Sequence, residues 1–168
     1  MTPDIRIRRI RADEWPQLRE LRLEALKDTP TAFAERYDDA VRQPDEFWMG
    51  RAARGAASIE AATFVAVTHG AFVGMTVAIL DGPVTSLVGV YVSPPWRGRP
   101  RGVISALFDA AVGWAREADP ARRVLLHVTE VNERAAAFYR RYGFVPTGVT
   151  VPYPLDPGIT EIEMELPA

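Results

Sequence analysis

One stretch, Thr85 to Glu117 (TSLVGVYVSPPWRGRPRGVISALFDAAVGWARE), restricts the architectures open to this chain more than any other. Residues 87–92 are the apolar, β-branched run of a strand, and Pro94 and Pro95 end it, because neither can donate to a ladder. A short loop dense in arginine and glycine follows: Arg97, Gly98, Arg99, Arg101, Gly102. Then Val103, Ile104, Leu107, Phe108, Ala111, Trp114 and Ala115 recur at three- and four-residue spacings, the period of an amphipathic helix. Strand, Arg/Gly turn and helix in succession suit an anion. The first N–H groups of a helix lack internal partners and carry the positive end of its dipole. Glycine lets a ligand approach the backbone, and arginine adds charge and forked donors. The phosphate-loop pattern GxxxxGK[ST] is absent, as is GxGxxG after a strand.

Around this stretch the period alternates between strand and helix. Residues 4–10 alternate apolar and charged, as a strand with one wet face does. Asp13 to Lys27 reads as a helix stopped by Asp28-Thr29-Pro30. Phe33 and Tyr37, four apart, suggest a short helix within Thr31–Val41 that carries Glu35, Asp38 and Asp39. Pro44 opens a further helix that Gly55 ends. Ala61–Thr68, Ala71–Leu80 and Leu87–Val92, joined by His69-Gly70 and Asp81-Gly82-Pro83, form an antiparallel meander. After the helix from Gly102 to Ala118 come a strand (Arg123–Thr129), a helix (Asn132–Tyr142) with Gly143 just past its end, and two strands (Phe144–Val151, Thr160–Leu166) joined by a bend at Pro152, Pro154 and Pro157. The expectation is one domain over residues 1–168 of α/β (α+β) class: a mixed, mostly antiparallel central sheet with helices on both faces. The 168 residues, 48% hydrophobic, suffice for such a core.

Residues 128–144, VTEVNERAAAFYRRYGF, carry the most specific pattern. Asn132 is a good N-cap, and Ala135, Phe138, Tyr139 and Tyr142 share one helix face. This segment resembles the signature N-x-x-A-x-x-F-Y-x-x-x-G-F of the GCN5-related N-acetyltransferase (GNAT) family, with every named position present. Val92 to Gly98 likewise resembles that family's V-x-P-x-x-R-G run. Arg101-Gly102-Val103-Ile104-Ser105-Ala106-Leu107 resembles its R-G-V-G-x-A-L helix start, with Arg99-Pro100 as a two-residue insertion and Ile104 where a small residue is usual. The element order is also similar to the family's, so the resemblance covers nearly the whole chain.

The resemblance implies acetyl-CoA as co-substrate and transfer of its acyl group to an amine. It implies a diphosphate at Arg97, Gly98, Arg99, Arg101, Gly102, Val103 and Ile104. It also implies a pantetheine arm paired with the backbone of Tyr91 and Val92 and touched by Asn132, and Tyr139 near the sulfur. Tyr139, a phenol protonated at neutral pH, would donate to the leaving thiolate, and a strand N–H such as that of Val92 would hold the oxyanion. An alkylamine has a pKa near ~10 and must lose a proton before attack. The family's central-strand carboxylate has no counterpart in residues 85–92, so the base falls first to Glu130 by position, with Glu35, Asp38 and Asp39 as others. Phe33, Glu35 and Tyr37 lie in the segment that tends to wall the acceptor site in the family. Acids converging there would favour a cationic amine.

Net charge is −2, so no global field recruits nucleic acid or an acidic membrane. The sequence contains no Cys, and His69 and His127 show no metal-ligand spacing, so no metal is expected. With no apolar run near ~18 residues, a cytoplasmic protein is the default. Family relatives suggest a possible homodimer. Two readings stand at this point: an N-acetyltransferase acting on a small-molecule amine, and a weak or inactive CoA-binding or ligand-sensing domain of the same fold.

Overall fold

Tight turns at His69–Gly70 and Gly82–Pro83, where His69, Gly70 and Gly82 adopt positive φ, join β2 (Ala61–Thr68), β3 (Ala71–Asp81) and β4 (Val84–Val92) into the expected meander. The computed structural model describes residues 4–98 and 102–168. Its other strands are β1 (Arg6–Arg9), β5 (Arg123–Thr129), β6 (Val145–Tyr153) and β7 (Asp156–Leu166). The sheet order is β1-β2-β3-β4-β5-β7-β6, antiparallel except between β4 and β5. The described helices are α1 (Trp15–Asp28), α2 (Tyr37–Ala40), α3 (Asp45–Ala57), α4 (Val103–Ala118) and α5 (Glu133–Tyr142).

Helices cover both faces. On one, Leu107, Phe108 and Ala111 of α4 and Tyr139 of α5 pack with Phe64, Leu126 and Met164. On the other, Leu18 and Leu21 of α1 and Trp48 and Ala52 of α3 pack with Val65 and Met75. This explains the unbroken apolar run of β2: successive side chains point to opposite faces, and both are buried.

Three local expectations change. The Phe33–Tyr37 segment is not one helix. A 3-10 turn (Pro30–Ala32) leads into extended backbone at Phe33, and α2 begins only at Tyr37. The Phe33 carbonyl accepts a hydrogen bond from Tyr153 Oη, a tertiary contact that local spacing does not reveal. Gly55 does not end α3, which runs to Ala57. The glycine allows close docking, since a Cβ there would lie 2.3 Å from Thr63 Oγ1. The last two strands reach further than expected and meet in a short turn at Pro154–Leu155. Pro146 and Pro152 are tolerated because β6 is a sheet edge, where a missing donor faces no partner strand.

Two features of β4 shape the site. Its parallel pairing with β5 is confined to Val84↔Arg123, Thr85↔Val124 and Ser86↔Leu125, after which the strands part. Its pairing with β3 slips between Met75↔Tyr91 and Val77↔Val88, so Gly89 and Val90 stand opposite Thr76 alone. That bulge places Gly89 at φ 61°, a conformation that glycine adopts without strain.

Candidate active site

A cavity of about 1140 Å³ fills the gap between the parting strands and continues across the α1/α3 face of the sheet. At one end lies the start of α4. Gly102 precedes the helix at φ 65°, and Gly102, Val103 and Ile104 all line the cavity. The first N–H groups of this 16-residue helix face that end without intrahelical partners. Gly98, at φ 86°, is also on the wall, whereas Arg99 and Arg101 lie outside the described residues.

Arg97 lines the cavity but its guanidinium is engaged within the protein. Nε donates to the Val92 carbonyl at 2.7 Å and Nη2 to Asp28 Oδ2 at 2.5 Å. Tyr91 Oη donates to the same carboxylate at 3.1 Å, beneath the Arg97 guanidinium. Arg97 holds the Asp28 carboxyl below the usual range, and burial pushes the Tyr91 phenol up. The Val92 N–H is set for a different partner. Ser93 N donates to Val73 O across β3, so by strand alternation the Val92 N–H and carbonyl both point away from β3; the carbonyl meets Arg97, and the N–H faces the gap.

On the opposite wall, Asn132 caps α5, its Oδ1 accepting from Ala135 N at 3.3 Å, and it lines the cavity. Tyr139 stacks on Phe108, with ring centroids 5.7 Å apart and planes 7° from parallel. Its phenol lines the cavity and has no hydrogen-bond partner among the described residues. Burial alone pushes its pKa up, which keeps the proton on the oxygen.

The acids do not converge as expected. Glu130 is exposed, accepts from Thr160 N at 3.1 Å and is not on the cavity wall. Asp38 and Asp39 are exposed and also off the wall. Tyr37 lies off the wall beneath Lys27 Nζ, 4.6 Å above its ring. Phe33 and Glu35 do line the cavity, but Glu35 is held by arginines: Arg22 Nε donates to its Oε1 at 2.9 Å, and Arg51 Nη1 lies 3.5 Å from the same oxygen. The expectation that clustered acids select a cation therefore does not hold for this wall.

One carboxylate on the wall escaped the sequence reading. Glu161 of β7 pairs with Thr129 across the strands and lines the cavity. Burial raises its pKa, and the neighbouring His127 opposes the rise in part. His127 Nε2 lies 3.3 Å from Glu163 Oε2, and Thr129 Oγ1 is buried without a partner among the described residues. The signal in the sequence is the alternation Glu161, Glu163, Glu165 against Ile162 and Met164. By itself that pattern describes a solvated face. Among the described residues no group of three or more His, Cys, Asp and Glu could hold a metal ion, and no helix is long and apolar enough to cross a membrane.

The sequence model of the Acetyltransferase (GNAT) family matches residues 7–144. Among solved structures, the PaiA N-acetyltransferase of Thermoplasma acidophilum in complex with coenzyme A superposes with a TM-score of 0.77 at 16% identity, covering 98% of this chain and 99% of that one. A GCN5-related N-acetyltransferase from Kribbella flavida gives a TM-score of 0.73 at 22% identity, with 98% of each chain covered. Nourseothricin acetyltransferase is 31% identical over 64% of this chain and 65% of its own, with a TM-score of 0.57. No curated protein matches.

Proposed function

The chain belongs to the acetyltransferase (GNAT) family, and from that premise we propose that it moves the acetyl group of acetyl-CoA to the primary amine of a small molecule. The observation that carries this reading is the gap between β4 and β5. The start of α4, whose first N–H groups have no intrahelical partner, opens at one end, the Val92 N–H turns into it, and Tyr139 presents a protonated phenol with no hydrogen-bond partner among the described residues.

The residues present suit acetyl-CoA. The α4 N–H groups and Gly98 offer an approach for a diphosphate. The free edge of β4 beyond Ser86 offers backbone hydrogen bonds to an extended amide-bearing arm, as an added strand would use them. Asn132 stands beside that edge on the far wall.

In the reaction the amine nitrogen attacks the thioester carbonyl, a C–N bond forms and the C–S bond breaks. The Val92 N–H meets the oxyanion of the tetrahedral intermediate. Tyr139 gives its proton to the departing sulfur, and its raised pKa keeps that proton in place until the thiolate forms. Glu161 takes the proton that the attacking amine loses. A carboxylate with a raised pKa is a stronger base than an ordinary one and better matched to neutral pH.

The test is incubation with acetyl-CoA and a panel of amines, followed by free thiol. Thiol release that depends on the amine supports the reading. Calorimetric binding of acetyl-CoA without turnover on any amine would assign the chain to the ligand-sensing alternative. Absence of binding would remove both.

A further inference from the structure

The α1/α3 side of the cavity carries more positive charge than its carboxylate balances. Arg22, Arg51 and Arg54 line it together with Glu35. Arg51 and Arg54 are three apart on α3 and so share a face. Arg22 is 8% exposed, yet only its Nε is spent on Glu35, and its Nη atoms donate to no described residue. The guanidinium lies over the Phe33 ring, 4.6 Å from its centroid, which fixes the plane of the fork. Its Nη1 would lie 3.9 Å from a Cβ at Gly89, so the fork ends at the bulge where β4 begins to leave β5. Arg51 Nη1 is buried 3.5 Å from Glu35 and makes no hydrogen bond to a described residue. The two arginines thus share one carboxylate, and each repels the other. Burial and the charge of Arg51 both lower the pKa of Arg22, as expected of a site short of negative charge. Across β4 and β5, Glu161 lines the same cavity with the opposite sign.

We propose that the acceptor is a zwitterion: a small amine bearing a carboxylate, with its anionic end held by Arg22 and Arg51 and its amine turned toward Glu161. A planar, bidentate carboxylate matches the guanidinium fork and supplies the missing counter-charge. Because the fork ends at the β4 bulge, beside the reaction gap, the carboxylate and the reacting amine are close in the acceptor, as they are in a free amino acid. Glu35 orients the two arginines and is a positioning residue. The proposal rests on the transferase reading, and its experiment separates the two.

Free L-amino acids, each paired with its own carboxamide, are assayed with acetyl-CoA by thiol release and compared at equal concentrations of unprotonated amine. The best acids are expected to exceed their amides by ~10–100-fold in kcat/KM, the worth of a charge-assisted bond. Arg51→Gln is expected to reduce kcat/KM for the acid by ~10-fold or more and for the amide by less than ~3-fold. Amides accepted as well as acids, equal losses on both in the variant, or a C-terminally blocked peptide turned over better than any free amino acid would each overturn the proposal and leave the transferase reading standing. Acetyl-CoA binding without turnover on any amine overturns the acceptor proposal in favour of the sensing domain. No acetyl-CoA binding overturns the transferase reading with it.

Discussion

At Gly55 two opposing effects can be weighed in one substitution. Alanine is favoured over glycine inside a helix by about 0.5–1 kcal/mol. Here, though, the new Cβ would meet Thr63 Oγ1 at 2.3 Å and Thr63 Cβ at 2.7 Å, and the second atom cannot be rotated away. Overpacking of this kind costs about 1–3 kcal/mol, so Gly55→Ala is expected to lose about 1–2 kcal/mol net. A lowered urea midpoint with an unchanged slope measures it; an equal or higher midpoint means that α3 docks less closely than described. The catalytic assignments are also tested residue by residue. Tyr139→Phe keeps the ring on Phe108 and removes only the donor, so kcat is expected to fall by ~100-fold, the low end for acid catalysis, because a thiolate already leaves fairly well. Glu161→Gln tests the base by pH. A base must be unprotonated, so activity falls as pH drops through its pKa, and the raised pKa of Glu161 places that acid limb above the ordinary glutamate range. The limb is expected to vanish in the variant; its persistence assigns the base elsewhere.

At the scale of elements, the C-terminal end of α1 braces the loop that leaves β4. Asp28, at the negative end of the helix dipole, would ordinarily be unfavourable, but it accepts from Arg97 at 2.5 Å and from Tyr91 at 3.1 Å. One turn back, Glu24 Oε2 accepts from Ser93 Oγ at 2.6 Å. Asp28→Asn removes the charge that holds Arg97, and a loosened loop is expected to weaken acetyl-CoA by ~3–10-fold through lost preorganisation, as measured by calorimetry. The pH dependence has a fixed sign. The Asp28 carboxyl has a lowered folded pKa, so its stabilising contribution is complete above the ordinary aspartate range and disappears as pH falls through that lowered value. Because Arg97 and Asp28 are partly solvated, the effect on Tm is small. The same elements mark what local pattern discloses. Ala61–Thr68 and Arg123–Thr129 are legible at their observed bounds, since apolar runs between turn residues have few alternatives. Asn132 and Tyr139 sit on the cavity wall because one amphipathic helix fixes both. Glu161 was not legible, because an alternating Glu strand looks solvated until α1 and α3 are known to make its face the wall of a cleft. The four-residue spacing of Phe33 and Tyr37 suggests a helix that does not form at Phe33, because the partner of its carbonyl, Tyr153, is 120 residues away in sequence.

At the scale of the whole molecule, the sheet is divided where it is weakest. β1 to β4 with α1 and α3 form one part, and β5 to β7 with α5 the other; only three parallel pairs of residues join β4 to β5. α4 reaches across, packing Leu107, Phe108 and Ala111 into the core that both parts share. A ligand in the gap that bonds the free edge of β4 and touches Asn132 and Tyr139 adds contacts between the parts that the unfolded chain cannot offer. Binding to the folded state alone stabilises it by about 2.7 kcal/mol at a hundredfold excess over Kd, which for a chain of this size corresponds to a rise of roughly 5–10 °C in Tm. Acetyl-CoA is expected to produce that rise, and the pantetheine fragment without its nucleotide to produce a smaller one, because it spans the gap but leaves the start of α4 unused. Equal shifts from the two compounds would mean that the α4 end takes no diphosphate. No shift from either would mean that the gap is not a cofactor groove, and the transferase chemistry would then have no seat in this fold.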